Sequence, residues 1–182
     1  MRLSRLFVSI DPPKTVRNIL VNLDPRVRGV RWTAGDQIHL TLGFFSDVPK
    51  DVDLALREKL SAIQFRAFFL PVEGVGTFPP KGPVKIIWIG VGQGHPHLFQ
   101  LHKRVQEAAL AVGLEADLRP WHPHFTLARC HGAHGAVLGK FLKSNADLDA
   151  GMFRVEAVHL YCSELTPAGP IHTRQLSVPA VT

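Results

Sequence analysis

A four-residue pattern, His-x-Thr followed by an apolar residue with x also apolar, occurs twice in this chain, as His39-Leu40-Thr41-Leu42 and as His124-Phe125-Thr126-Leu127. Alternation of this kind suits a half-buried strand, whose successive side chains point to opposite faces. Leu40, Leu42, Phe125 and Leu127 then face a core. His39 with Thr41, and His124 with Thr126, stand on the other face, about 6.5–7 Å apart along each strand. One copy alone is ordinary strand surface in a chain with ten histidines. Two copies, half a chain apart and each inside an alternating apolar strand, predict a fold of two related halves.

Two strands that each present an imidazole and a hydroxyl to one site supply a general acid, a general base and a set of hydrogen-bond donors. That set suits phosphodiester chemistry without a metal. Neither motif carries a carboxylate, and no His/Cys/Asp/Glu spacing has the form of a closed metal site. The two cysteines, Cys130 and Cys162, have no metal-ligand spacing and read as small buried or half-buried strand residues.

With 182 residues, 46% hydrophobic and 20% charged, the chain can bury a sizeable core without a disulfide or metal staple. A net charge of +6 favours a polyanionic partner, although no dense Lys/Arg run occurs. The apolar run near the start is too short for a secretory signal and is stopped by Asp11-Pro12-Pro13, and no stretch is long enough to span a bilayer. The expectation is a cytoplasmic protein with no membrane partner.

Periodicity predicts strands at Arg5–Ile10, Val30–Thr33, Ile38–Phe45, Phe65–Val75, Val84–Val91, His124–Arg129, Phe153–Cys162 and Ile171–Ser177. Helices are predicted from about Val16 to Asp24, Pro49 to Ile63, His97 to Gly113 and Val137 to Leu142, with a Gly/Pro-rich loop over Gly74–Pro83. In each half the His-x-Thr strand is followed by a helix. This imperfect duplication predicts an α+β fold of two lobes, each with an antiparallel sheet, that sets the two motif strands on facing surfaces.

The segments RLFVSI, HLTLGFF, IIWIGV and RPWHPHFTLAR together resemble the 2H phosphoesterase superfamily, and within it the bacterial and archaeal RNA 2',3'-cyclic phosphodiesterases once called 2'-5' RNA ligases. The resemblance spans nearly the whole chain. It implies that residues 1–182 form one bilobal α+β domain with a pseudo-twofold axis, flanking helices and a central cleft. It places the paired catalytic histidines on His39 (acid) and His124 (base), substrate-binding threonines on Thr41 and Thr126, and a substrate-binding arginine on Arg129. The implied reaction is metal-independent and cofactor-free hydrolysis of an RNA terminal 2',3'-cyclic phosphate to a 2'-phosphate, with reverse 2'-5' ligation open to the same groups. The implied partner is RNA with such an end, and the implied state is a monomer. Two other readings stay open: a cyclic phosphodiesterase acting on a small nucleotide, and a non-catalytic module that grips RNA ends.

Several positions carry open questions. Gly43 stands where many relatives have a larger, often basic residue. Arg129 differs in parity from His124 and Thr126, so it reaches their face only if the strand ends or bulges near Ala128. Phe7 and Trp88 lie on strands, either as core aromatics or as surfaces for a nucleobase. His122 shares parity with His124. His95, His97, His102, His131, His134, His159 and His172 form no pattern.

Overall fold

The computed structural model describes residues 3–92, 96–115, 117, 119–132 and 135–181; His95 and His134 lie outside them. The described elements are β1 (Ser4–Ile10), α1 (Lys14–Asn22), β2 (Val30–Trp32), a 3₁₀ turn at Gly35–Gln37, β3 (Leu40–Val48), α2 (Lys50–Ser61), β4 (Phe68–Phe78), β5 (Ile86–Gly90), α3 (Pro96–Leu110), β6 (His124–Cys130), α4 (Gly135–Asn145), β7 (Asp149–Val155), β8 (Ala157–Thr166) and β9 (Gly169–Pro179). The class is α+β, as expected. Three local differences have physical reasons. The 3₁₀ turn is too short to leave a periodic signal. The strand expected over Phe153–Cys162 breaks at Glu156, whose carbonyl accepts from the Ala180 N–H. The loop expected from Gly74 begins only after Phe78. Gly76 continues the strand by pairing with Trp88 of β5, and it is glycine because the indole lies over it: a Cβ there would come within 2.3 Å of the ring.

The two expected sheets are one. All nine strands form a single antiparallel sheet in the order β7-β4-β5-β6-β3-β1-β8-β9, with β2 against β6. The join between the two runs of four is narrow, since β3 and β6 pair only at Leu40 and Phe125. Past that pair β3 leaves the edge of β6, and β2 takes it at Ala128–Cys130. Leu40, Leu42, Phe125 and Leu127 are all buried, so the core face of both motifs is as the alternation demands.

Each motif strand bulges directly after its threonine. Gly43 pairs with Val8 and Thr41 with Ser9, which leaves Leu42 without a partner on β1. Ala128 pairs with Ile87 and Thr126 with Trp88, which leaves Leu127 without a partner on β5. A bulged residue loses its ladder partners, so its buried carbonyl needs another donor. Gln106 of α3 donates its amide to the Leu42 carbonyl at 2.9 Å. The Thr33 N–H donates to the Leu127 carbonyl at 2.7 Å. Each bulge puts two consecutive residues, Leu42-Gly43 and Leu127-Ala128, into the buried face and restores alternation out of phase. Gly43 therefore faces inward, where a Cβ would come within 2.8 Å of the Phe45 ring, and a side chain at this position would not reach the motif face.

Replacing Gln106 by Leu keeps the bulk but removes the donor to the Leu42 carbonyl. It should lower the unfolding free energy by about 1–3 kcal/mol, the cost of an unsatisfied buried acceptor. Urea unfolding would measure this, and an unchanged midpoint would mean that the bulge needs no support from α3.

Candidate active site

Continuing the Leu40–Phe125 register by one residue each way sets His39 opposite Thr126 and Thr41 opposite His124. All four share one face of the sheet and all are half-buried. The histidines lie on a diagonal of the ladder, where Cα separations run about 7–8 Å. A tetrahedral group held between the rings can touch both, with a hydroxyl on either side.

The two rings are fixed in the same way. The Nδ1 of His39 lies 2.7 Å from the carbonyl of Gln37, and that of His124 lies 2.7 Å from the carbonyl of His122. A carbonyl oxygen can only accept, so Nδ1 carries the proton in each ring and Nε2 is left for chemistry. Gln37 is itself held: its side-chain amide donates to the Pro170 carbonyl at 2.8 Å, which ties the His39 anchor to the start of β9.

Burial pushes the His39 ring down to about 4; the nearby His172 lowers it further and the Gln37 carbonyl opposes the shift. Burial also lowers His124, opposed by its bond to the His122 carbonyl and reinforced by the His122 ring. Both imidazoles are thus neutral at neutral pH while nothing anionic lies between them.

Phe7 does not offer a surface for a base. It is only 4% exposed, and its ring stacks on His39 at 4.7 Å and on Tyr161 at 5.2 Å, with His172 edge-on at 4.8 Å. Packed this way it braces His39. Tyr161 in turn donates to Asp11 at 2.5 Å, and Arg174 reaches both the Tyr161 hydroxyl and Asp11. Trp88 holds the matching place beside the second motif. It is half-buried, 6.2 Å from His124 and 4.6 Å from His122 between centroids, and it keeps a surface on a cavity of about 680 Å³. Phe99, Trp121, His122, Glu73 and Asp147 also line that cavity.

Arg129 meets the condition its parity imposed. The bulge at Leu127 turns it, exposed, onto the face of His124 and Thr126, opposite Arg31 of β2. Sequence reasoning missed Gln37, Gln106, Thr33, Arg31 and the role of His172 beside Phe7. Gln106, Thr33 and His172 act through contacts distant in sequence, and the Gln37 carbonyl, though only two residues from His39, carries no side-chain signal. His102 stacks on Trp121 at 3.9 Å. His159 lies 4.0 Å from Asp11 and is opposite Ser9, which is itself opposite Thr41, so it shares the motif face two strands away from β3. Cys130 is buried and Cys162 half-buried, both as free thiols. Among the described residues no group of three or more His, Cys, Asp or Glu is placed to hold a metal, and no helix is long and apolar enough to cross a membrane.

Residues 13–165 match the model of the 2'-5' RNA ligase superfamily. A protein of Aeropyrum pernix named RNA 2',3'-cyclic phosphodiesterase is 32% identical over 148 residues, 81% of this chain and 84% of that one. A protein of the same name from Archaeoglobus fulgidus is 31% identical over 172 residues, 92% and 96% of the two chains. The crystal structure of E. coli LigT complexed with 3'-AMP superposes with a TM-score of 0.84 at 24% identity, over the full length of both chains, and shows the same fold. The chain belongs to the 2'-5' RNA ligase superfamily.

The depressed His39 ring makes stability depend on pH. Its value is about 4 when folded, against 6.5 in the ordinary state, so the unfolded chain binds the extra proton between these limits. Stability from this group is therefore complete above about pH 6.5 and falls as the pH drops toward about 4. Following the ring by NMR should show it still neutral at pH 5.5; a midpoint near 6.5 would mean that burial does not control it.

Proposed function

We propose that this protein hydrolyses the 2',3'-cyclic phosphate at an RNA end to a 2'-phosphate, with the whole chain acting as one bilobal domain around a central cleft. The observation that carries the reading is the twin anchoring of His39 and His124, each Nδ1 held by the carbonyl two residues before it on strands joined at Leu40–Phe125. Membership of the superfamily and the names of the relatives support the same activity.

A water attacks phosphorus as one Nε2 removes its proton. The P–O3' bond breaks, and the departing 3' oxygen takes a proton from the other ring. Thr41 and Thr126 donate to the non-bridging oxygens, where charge gathers in the transition state, and Arg129 adds a positive charge at the end of the same face. Trp88 supplies an aromatic surface beside His124. The empty site holds both rings neutral. A phosphate anion between them raises the proton affinity of each, so the proton that enters with substrate makes one ring the acid. Family resemblance assigns that role to His39 and the base to His124. With a 5'-hydroxyl in place of water as nucleophile, the same P–O3' bond breaks, the 3' oxygen takes the proton, and the product is a 2'-5' linkage. The site uses side-chain acids, bases and donors throughout, so the reaction proceeds without metal or cofactor.

His39→Ala and His124→Ala should each slow cyclic-phosphate hydrolysis by about 10²-fold or more, and the double variant should be little worse than the worse single one. An aryl leaving group needs no proton as it departs. Activity on a p-nitrophenyl phosphodiester should therefore survive His39→Ala far better than His124→Ala; rescue of His124→Ala instead would exchange the two roles. Wild-type rates in either folded single variant would defeat the mechanism.

Dialysis against EDTA should leave the rate unchanged. A large loss restored by one divalent ion would show a metal that the mechanism lacks.

A further inference from the structure

The histidine–threonine face does not carry the same charge on both sides of the motifs. Beyond His124 it opens on the cavity beside Trp88, whose lining among the described residues contains Glu73 and Asp147 but no lysine or arginine. Beyond His39 it continues over β1, β8 and β9. Phe7 stands opposite the exposed Phe44 of β3 on one side and Tyr161 of β8 on the other, and Tyr161 stands opposite Arg174 of β9. The rings of His39, Phe7 and Tyr161 stack in succession, 4.7 Å and 5.2 Å apart between centroids, and the Arg174 guanidinium lies 5.6 Å from the Tyr161 centroid. A stacked row thus leads from His39 to an arginine whose side chain is 52% exposed.

Asp11 gathers this end of the row. It accepts from Ser9 at 3.1 Å and from Tyr161 at 2.5 Å. Two guanidiniums approach the same carboxylate less closely, Arg174 at 3.4 Å and Arg17 at 3.9 Å. A full charge-assisted bond is shorter, about 2.7–2.9 Å. One carboxylate already engaged by two hydroxyls leaves positive charge from two guanidiniums uncancelled. Arg174 is held by its Nε and Nη2 on the Tyr161 hydroxyl, at 3.2 and 3.0 Å, and Nη1 takes no part in these bonds.

We propose that Arg174, with Arg17 behind it, holds a backbone phosphate of the RNA strand upstream of the cyclic end. The proposal rests on the phosphodiesterase reading and adds which way the strand runs. In that reading the departing 3' oxygen takes its proton from His39. The ribose that carries this oxygen, and the strand behind it, therefore lie on the His39 side, over β1, β8 and β9 and away from the carboxylates of the cavity. Arg174 stands three stacking steps from His39, too far for the reacting phosphate and within reach of the strand that follows it. A guanidinium suits a phosphodiester and reads no base, so the contact positions the strand without selecting its sequence.

The test compares KM for a trinucleotide ending in a 2',3'-cyclic phosphate with KM for the same trinucleotide whose two internal linkages are uncharged methylphosphonates. In the wild type the charged strand should have the lower KM, by about tenfold at low salt, and the gap should narrow as salt rises. Arg174→Met should collapse the ratio toward one, and Arg174→Lys, which keeps the charge, should retain part of it. Arg154→Met is the control: it removes an exposed positive charge from β7, at the opposite edge of the sheet, and should leave the ratio as it is. Equal KM values for the two trinucleotides in the wild type, or a ratio unchanged in Arg174→Met, would overturn the strand path while leaving the hydrolase reading intact. A ratio lost equally in Arg154→Met and Arg174→Met would mean overall charge in place of a site, and would also overturn it. No turnover of either trinucleotide or of adenosine 2',3'-cyclic phosphate by the wild type would overturn the hydrolase reading and the strand path with it.

Discussion

The whole site depends on one pair of residues. Leu40 and Phe125 are the only point where β3 and β6 pair, and both are fully buried. An antiparallel pair carries a local two-fold axis, so whatever one strand presents just before and after the pair the other presents in reverse order. His39 and Thr41 therefore meet Thr126 and His124 with no further instruction. Burial of the apolar side of this pair is also what holds the polar side in place, because a slip of one residue would turn every motif side chain into the core.

Regular strands would give the site only these four side chains. The bulges at Leu42 and Leu127 extend it by bringing Phe44 and Arg129 to the same face. The carbonyls they release are satisfied by donors of different kinds, a side-chain amide from α3 and the backbone N–H of Thr33. The two halves thus reach one geometry by separate means, which explains how the duplication persists in shape while the sequences around the motifs differ. The residues delivered differ too: a cation on one side and an aromatic ring on the other.

Electrostatics at the site follow from packing. Phe7 and His172 crowd His39, whereas Trp88, Phe78 and His122 surround His124 more loosely, and the stronger desolvation falls on His39. Two neutral, Nδ1-anchored imidazoles present lone pairs at Nε2, so the empty site is poised to gain a proton along with an anion. The basic surplus of the chain favours the arrival of that anion.

Much of this was legible in the sequence. Alternation within the motifs set which residues face the core, helical spacing located the four helices, and parity showed that Arg129 needed a bulge near Ala128 to matter. These are local properties, carried by residues two to four apart. Local pattern could not show that the two expected sheets join through a single pair, nor that Phe7 would be covered and Phe44 left open. Phe7 and Phe44 are both strand aromatics; what separates them is Tyr161, more than a hundred residues away in the chain, lying against one and not the other. Nor could the pattern show what holds the site, since Gln106 meets Leu42, Thr33 meets Leu127 and Gln37 meets Pro170 only after folding. The sequence by itself determined the paired motifs, their facing and the class of chemistry they suit. Tertiary structure decided the diagonal of the histidines, the phase shift at each bulge and which aromatic is exposed, because each depends on hydrogen bonds and contacts between segments that only the folded sheet brings together.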